Sequence, residues 1–283
     1  MPHFITDDGT RLHYRTRGSG SPLICVPGGP GRSAVYFENL GGLDRRHTLV
    51  QLDPRGTGES AMPTDATTLA FPGLAEDIEQ LRGHLGLDRI DLLGHSAGAV
   101  VAEVYAARYA KRLRTLVLVT PSAQLQAVLP DTSGVRASRF AEPWYPDAAQ
   151  AMAALDAVTS LEEAIPLLVR MAPFFYGRWD DRARAHAGGY ERQVSLGAQV
   201  AFGAGPLARD FDRIGALANL LALPAATLVV AGTLDGGSGV PGAEAVAHSV
   251  AGAELVVLEG CGHYPWIDEP AAFARTVADF LAR

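Results

Sequence analysis

Short apolar runs recur along the chain, and each is bounded by glycine, proline or polar residues. Runs of this kind are typical of buried strands, whereas longer segments with apolar residues three or four positions apart are typical of helices. The runs predict eight strands, near residues 3–6, 11–16, 22–26, 48–53, 89–93, 114–119, 226–231 and 254–258. Their order indicates two antiparallel strands at one edge, followed by a parallel sheet.

Helical periodicity occupies the segments between the predicted strands. Two apolar stripes have helical spacing, one formed by Leu74, Ile78, Leu81 and Leu85 and the other by Phe273, Val277, Phe280 and Leu281. Residues 97–109 are rich in alanine and valine, and a helix of small residues can pack close to a sheet. We therefore expect an α/β fold, with a mostly parallel eight-stranded sheet that carries helices on both faces.

One interval breaks this alternation of strands and helices. About a hundred residues separate the strand that ends near Thr120 from the next one near Ala226, far more than an ordinary connection needs. We expect a helical cap, residues 122–221, inserted into a core formed by residues 1–121 and 222–283. Aromatic residues of the cap have enough area to line a pocket: they are Trp144, Tyr145, Trp179, Phe174, Phe175 and Tyr176.

The clearest chemical motif follows the fifth predicted strand. Ser96 is the centre of a G-x-S-x-G sequence, residues 94–98, between an apolar run and the alanine-rich segment. Strand, sharp turn and helix in this order form a nucleophile elbow, which exposes the serine hydroxyl above a helix N-terminus. Side chains at positions 94 and 98 would collide with the neighbouring strand and helix, which accounts for the two glycines.

An acid and a histidine follow later strands in the order that such a serine requires. Asp235 comes after the strand near 226–231, and His263 comes after the strand near 254–258. The carboxyl ends of parallel strands meet at one edge of a sheet, where ligands of α/β proteins bind. We therefore predict a catalytic triad of Ser96, His263 and Asp235. Asp268 and Glu269 are weaker candidates for the acid, because Glu269 looks like the start of the last helix.

The third predicted strand leads into Pro27-Gly28-Gly29-Pro30-Gly31, a loop whose backbone can approach a substrate closely. A tetrahedral intermediate needs an oxyanion hole, supplied in such proteins by the amide after the nucleophile and one amide of this loop. We assign these donors to Ala97 and Gly29.

Four segments together resemble a known family: residues 27–31, residues 53–60 (Asp-Pro-Arg-Gly-Thr-Gly-Glu-Ser), the elbow, and residues 260–263. The chain resembles the α/β-hydrolase superfamily and, more narrowly, the proline iminopeptidases. This resemblance implies an α/β-hydrolase fold, release of N-terminal proline from short peptides, and no metal or organic cofactor. Pro27 and Ala97 depart from the family pattern, which has histidine and tryptophan at these places.

In the resembled peptidases, carboxylates of the cap bind the free amino group of the substrate. Four glutamates of this cap are candidate equivalents, although none lies in a motif that matches: Glu142, Glu162, Glu163 and Glu191. Within residues 53–60, we expect Arg55 to shape the loop by donating to loop carbonyls, because its guanidinium carries a rigid fork of donors.

Composition limits the partners of the protein. The chain has 283 residues, a net charge of −7 and no basic cluster, and no run approaches the length of a bilayer span. We expect a small-molecule or short-peptide substrate, and neither nucleic acid nor membrane as a partner. Cys25 and Cys261 are the two cysteines, too few for a disulfide framework, which makes the cytoplasm the expected compartment.

Three functional hypotheses follow from these patterns. The first is a serine aminopeptidase that forms an acyl-enzyme and releases proline or another small residue. The second keeps the triad and replaces the peptide by an ester, a lactone or a small amide, because fold and triad do not fix the substrate. The third is a binding protein on a hydrolase scaffold, which the complete triad disfavours.

Overall fold

An eight-stranded sheet forms the centre of the computed structural model, which describes residues 2–29, 31–203, 207 and 210–283. The strands are β1 (His3–Ile5), β2 (Arg11–Arg17), β3 (Ser21–Val26), β4 (His47–Leu52), β5 (Ile90–His95), β6 (Leu113–Val119), β7 (Ala226–Gly232) and β8 (Glu254–Leu258). Their spatial order is β1-β2-β4-β3-β5-β6-β7-β8. β1 pairs antiparallel with β2, β2 pairs antiparallel with β4, and all other pairs are parallel. The predicted sheet is confirmed.

β5 differs slightly from its predicted extent, because it continues to the residue before Ser96. Gly94 pairs with Val26 of β3, and His95 pairs with Val119 of β6. Pairing of Gly94 with both neighbouring strands, and of His95 with β6, keeps these two residues extended, although a glycine and a histidine at this point resemble the start of a turn. The serine therefore stands at the very end of a central strand.

Twelve α-helices lie within the described residues. They are α1 (Phe71–His84), α2 (Ala97–Arg108), α3 (Ser133–Ala137), α4 (Tyr145–Leu155), α5 (Leu161–Arg170), α6 (Asp181–Ala187), α7 (Tyr190–Gln193), α8 (Leu196–Gly203), α9 (Arg213–Leu221), α10 (Gly239–His248), α11 (Pro265–Asp268) and α12 (Pro270–Leu281). Short 3₁₀ helices occupy Ala34–Phe37, Leu40–Arg45, Ala66–Leu69, Ala110–Arg112 and Ala172–Phe175. Within these ranges, no helix is both long enough and apolar enough to cross a bilayer.

Apolar clusters cover both faces of the sheet. On one face, α1, α2, α9 and α10 bury residues such as Ile78 and Val100. On the other, α11, α12 and the 3₁₀ helices Ala34–Phe37 and Leu40–Arg45 form the cluster, which buries residues such as Trp266, Phe273 and Val277. Full burial of one such side chain contributes about 1.5–3 kcal/mol, so the apolar stripes are sufficient to hold the helices on the sheet.

Helices α3 to α9 lie between β6 and β7, where the sequence indicated a cap. The last of them, α9, packs through Ala216 and Leu220 into the same cluster as α2. Among the described residues of this interval, strand-like pairing is limited to an isolated bridge between Val194 and Arg32. The division into a core and a cap at residues 122 and 221 stays a prediction.

Candidate active site

Ser96 lies in the turn between β5 and α2 with a strained backbone. Its φ of 54° and ψ of −120° lie in a region that residues with a side chain rarely adopt. Two backbone hydrogen bonds hold it there: its N–H donates to the Val119 carbonyl at 3.0 Å, and its carbonyl accepts from the Ser122 N–H at 3.1 Å. The half-buried Ser96 is thus fixed by the end of β6 and the segment that follows it.

Glycines allow the elbow to pack against the backbone of adjacent segments. A Cβ at Gly98 would lie 2.3 Å from the Pro27 carbonyl oxygen, and one at Gly94 would lie 2.5 Å from the Gly98 carbonyl oxygen. Both distances are far below van der Waals contact. A side chain at either position would therefore collide with the backbone, as expected from the sequence.

His263 and Asp235 meet at the carboxyl ends of β8 and β7. Oδ2 of Asp235 lies 2.9 Å from Nδ1 of His263, and the carboxylate is 1% exposed. Oδ1 accepts from the Gly237 N–H at 2.8 Å, which fixes the carboxylate in the loop. Because an ionised carboxylate only accepts hydrogen bonds, the Nδ1 atom carries the proton and Nε2 is left as a base.

Asp268 and Glu269, the weaker candidates for the acid, have partners other than the His263 ring. Asp268 accepts a hydrogen bond from the Gly262 N–H at 2.8 Å, and burial raises the pKa of its carboxyl. Glu269 lies 3.2 Å from Arg178, on the surface. The structure therefore brings Asp235 to the imidazole, and Asp268 braces the loop just before His263.

Ser96 and His263 line the same cavity, whose volume is about 190 Å³. The wall is mainly aromatic and aliphatic. The described lining residues are Gly28, Gly29, Arg32, Tyr36, His95, Ser96, Leu168, Val169, Ala172, Phe175, Tyr176, Ala187, Tyr190, His263 and Tyr264. The volume fits a small molecule, because sites for drug-sized ligands are larger.

The glycine-rich loop after β3 runs beside Ser96, and its residue Pro30 lies outside the described residues. A Cβ at Gly28 would lie 2.6 Å from the Cβ of Ser96, so the loop packs directly against Ser96. The Gly28 N–H donates to the Tyr36 hydroxyl at 2.6 Å and is not free for a substrate. In the described chain, no hydrogen bond uses the Gly29 N–H, and Ala97 begins α2, where an N–H has no acceptor within the helix.

A buried series of hydrogen bonds that the sequence did not reveal connects this loop to His263. Nε2 of His95 lies 2.9 Å from the His263 carbonyl, which can only accept, so Nε2 carries the proton. Nδ1 of His95 then accepts from the Tyr36 hydroxyl at 2.7 Å, and that hydroxyl accepts from Gly28. Burial, followed by the proximity of His263, lowers the pKa of His95 well below its usual range, so the ring is neutral.

Part of the predicted aromatic set reaches the cavity. Phe175 and Tyr176 line it, whereas Trp144 and Tyr145 pack edge-on against Phe174 at ring-centroid distances of 5.3 and 5.7 Å. The segment that contains Phe174 and Phe175 also holds the loops that carry His263 and Asp235. The Phe175 carbonyl accepts from the His263 N–H at 2.8 Å, and the Phe174 carbonyl accepts from the N–H of residue 236 at 3.0 Å.

Arg55 holds its loop in place, but its acceptors are carboxylates and not the expected loop carbonyls. Its guanidinium donates through Nε and Nη2 to both carboxylate oxygens of Asp77 and also contacts Asp8. The side chain is 3% exposed and does not line the cavity. It therefore ties the loop at residues 53–60 to α1 and the β1–β2 turn.

The four candidate glutamates do not line the cavity. Glu162, Glu163 and Glu191 are exposed, and Glu142 lies 3.5 Å from Arg139. Within the described ranges, no three His, Cys, Asp or Glu side chains are grouped so as to hold a metal ion.

Both cysteines are buried free thiols. Burial raises the pKa of Cys25 and raises that of Cys261 to about 12. Because the thiolate is the reactive form, burial disfavours the reaction of both thiols at neutral pH.

Several proteins of known name resemble the chain over part of its length. Over 121 residues it is 30% identical to a proline iminopeptidase from Heyndrickxia coagulans, covering 42% of each chain. Over 132 residues it is 33% identical to a cis-3-alkyl-4-alkyloxetan-2-one decarboxylase from Shewanella oneidensis, covering 46% of this chain and 41% of that protein. The matched segments thus span about two fifths of these curated relatives.

Solved structures match over nearly the whole chain. An esterase from Exiguobacterium antarcticum superposes with a TM-score of 0.76 at 23% identity, covering 99% of each chain. An enol-lactonase from Burkholderia xenovorans LB400 superposes with a TM-score of 0.73 at 21% identity, covering all of both chains. At such identities the likeness concerns the fold. Because the sequence model of the α/β-hydrolase fold also matches residues 21–270, this chain belongs to the α/β-hydrolase family.

Proposed function

We propose that the protein is a serine hydrolase that cleaves small carboxylic esters or lactones through an acyl-enzyme. The observation that supports this proposal most directly is the contact between Asp235 and His263 beside a cavity that Ser96 also lines. An imidazole oriented by a buried carboxylate is the arrangement that activates a serine hydroxyl.

In the proposed reaction, Oγ of Ser96 attacks the carbonyl carbon while its proton passes to Nε2 of His263. Asp235 accepts the hydrogen bond from Nδ1 and stabilises the imidazolium. The tetrahedral intermediate collapses as the carbon–oxygen bond to the alcohol breaks, and His263 returns the proton to the leaving oxygen. Water then attacks the acyl-enzyme with His263 as base, which releases the acid and regenerates Ser96.

The amides of Gly29 and Ala97 are the proposed donors to the oxyanion. Gly28, which is nearer in sequence to β3, already donates to Tyr36, and Pro27 has no N–H. A dipole at the start of α2 adds to the stabilisation of negative charge at this point.

Peptidase activity is the second candidate, favoured by relatives named proline iminopeptidase at 30–38% identity. An aminopeptidase must bind a protonated amine, and carboxylates are the groups that do so. The described lining residues include no aspartate or glutamate, and they include the cation Arg32. This charge pattern supports an ester or lactone over an N-terminal proline.

Two chromogenic substrates separate these candidates. We expect the wild-type protein to cleave p-nitrophenyl acetate and to leave proline p-nitroanilide largely intact, and we expect Ser96→Ala to lose the activity. Cleavage of the anilide that depends on Ser96 would reverse the order of the candidates.

Labelling with a fluorophosphonate tests whether the protein is an enzyme at all. Ser96→Ala should abolish the label, and Ser138→Ala should keep it, because Ser138 is an exposed serine remote from the cavity. Folded wild-type protein that remains unlabelled would indicate a binding protein on a hydrolase scaffold.

A further inference from the structure

Arg32 is a buried cation in the wall of the cavity, and all its polar partners are neutral. The residue is 3% exposed. Its Nε and Nη2 donate to Oε1 of Gln193 at 3.0 and 2.8 Å, and its Nη1 donates to the Tyr264 hydroxyl at 3.0 Å. No carboxylate of the described residues forms an ion pair with it.

Such a charge is costly to bury. Taking an ion out of water costs several kcal/mol unless an opposite charge compensates. The guanidinium lies over the Tyr36 ring at 4.0 Å from its centre, and a cation–π contact contributes about 2 kcal/mol when desolvated. By comparison, the equally buried Arg55 is neutralised by Asp77. Arg32 therefore retains a strong attraction for an anion.

Unused donors on Arg32 indicate the kind of anion. A guanidinium has five N–H donors, and the three hydrogen bonds to Gln193 and Tyr264 use three of them. One donor on each terminal nitrogen is left without a partner in the described chain. Two such donors match the two oxygens of a carboxylate.

The charges around the cavity do not offset Arg32. Two histidines nearby are neutral, because burial is the main cause that lowers the pKa of both His95 and His186, the latter to about 4 with Arg32 as the next cause. Among the described lining residues, Arg32 is the one that is permanently charged. It therefore sets the sign of the potential that a substrate meets.

We propose that Arg32 binds a carboxylate of the substrate, so that the natural substrates are short esters or lactones that carry a free carboxylate. This inference rests on the proposed ester or lactone hydrolysis for its reaction, and the cavity of about 190 Å³ limits the substrate to a few carbons. Arg32 in this role is a specificity-determining residue, because it holds the substrate and not the reacting atoms.

Paired substrates test the proposal in the wild-type protein. Monomethyl succinate and methyl butyrate differ by a carboxylate in place of a methyl group on the acyl side, and acetoxyacetate and ethyl acetate differ in the same way on the alcohol side. We expect kcat/KM to be at least about tenfold higher for the anionic member of one pair, a preference of about 1.4 kcal/mol. Equal or better cleavage of both neutral esters would overturn the proposal.

Variants separate substrate binding from a structural role of Arg32 between the glycine-rich loop and α7. In Arg32→Gln, we expect the preference for the anionic ester to disappear, mainly through KM, and in Arg32→Lys to persist in part. Arg184→Gln, at an exposed arginine outside the cavity, changes the net charge equally and should keep the preference. An equal loss for neutral and anionic esters in Arg32→Gln would indicate a structural role alone and refute the proposal.

Binding to inactive protein gives a second measurement that needs no turnover. Titration calorimetry of the preferred anionic ester with Ser96→Ala should give saturable heat, and Ser96→Ala/Arg32→Gln should lose it. Heat that is absent, or unchanged by Arg32→Gln, would contradict the proposal. If no ester is cleaved with dependence on Ser96, the proposed function fails. Titration of all four esters then tests separately whether Arg32 favours binding of the anionic ones.

Discussion

Tyr36→Phe tests the buried series of hydrogen bonds, because this substitution removes a single oxygen. In the wild type, the Tyr36 hydroxyl accepts from the Gly28 N–H at 2.6 Å and donates to Nδ1 of His95 at 2.7 Å. The tyrosine is 1% exposed and His95 is 2% exposed. Phenylalanine would fill nearly the same volume, so packing changes little and the lost hydrogen bonds dominate.

The magnitude follows from the two groups that lose their partner. A buried polar group without a hydrogen bond costs about 1–3 kcal/mol, so two such groups give about 2–6 kcal/mol. Gly28 and His95 both line the cavity, and water in the cavity can replace part of the loss. We therefore expect the free energy of unfolding to decrease by about 2–3 kcal/mol.

Activity should fall as well, because the hydrogen bonds of Tyr36 hold the glycine-rich loop beside Ser96. Removal of a whole oxyanion-hole donor costs about 10²–10³ in kcat, and a displaced loop should cost less, about tenfold. Urea denaturation measures the stability, and hydrolysis of p-nitrophenyl acetate measures kcat and KM. We expect kcat to change more than KM.

Tyr109→Phe is the matched control. The Tyr109 hydroxyl donates to Glu76 at 2.6 Å on the opposite face of the sheet, and both residues are half-buried, so water can replace it. We expect this variant to lose little stability and to keep its activity. If Tyr36→Phe lowers the free energy of unfolding by less than about 0.5 kcal/mol and leaves kcat unchanged, the structural role of the Tyr36 hydrogen bonds is refuted.

Four further variants probe the site and the core. Gly28→Ala should stay folded by circular dichroism and lose most activity, because its Cβ would lie 2.6 Å from that of Ser96; near-normal kcat would contradict this. Asp235→Asn should lower kcat by about 10³–10⁴, whereas Asp268→Asn should mainly lower the melting temperature; the reverse would exchange their roles. Burial raises the pKa of Glu103 from 4.5 to about 8, so its contribution to stability, present below pH 4.5, is lost as pH rises to about 8. The free energy of unfolding of the wild type, measured by urea denaturation, should therefore decrease by up to about 5 kcal/mol over this pH range, and Glu103→Gln should remove this decrease. Equal pH dependence in both proteins would exclude this contribution of Glu103.

The sheet could be predicted from sequence because buried parallel strands are continuous apolar runs. β7, for example, is buried except at its first residue; it begins at the predicted residue, Ala226, and ends one residue later than predicted, at Gly232. β5 was predicted too short, because the pairing of Gly94 with β3 and β6, and of His95 with β6, depends on strands distant in the chain. Local patterns carry no information on such pairing.

For the candidate site, motif order located the residues that follow strands and missed those that act through long-range contacts. Tyr36 and His95 are 59 positions apart, and Arg32 and Gln193 are 161 apart. His95 was visible as the second residue of the G-x-S-x-G motif, and Arg32 followed the glycine-rich loop directly. Neither position indicates which partner the side chain meets, because folding of the intervening chain decides it.

The bonds between residues 174–175 and the loops that carry His263 and Asp235 affect how this scaffold can be re-engineered. The Phe175 carbonyl holds the His263 N–H, and the Phe174 carbonyl holds the N–H of Gly236, next to Asp235. Replacement of residues 122–221 as a single cassette would remove both acceptors along with the old specificity. A chimaera that keeps the native 3₁₀ helix Ala172–Phe175 and grafts foreign helices on either side of it would preserve the alignment of base and acid. Directed evolution of new substrates should therefore start from α5 and α7, whose residues Leu168, Val169 and Tyr190 line the cavity, and leave this turn intact.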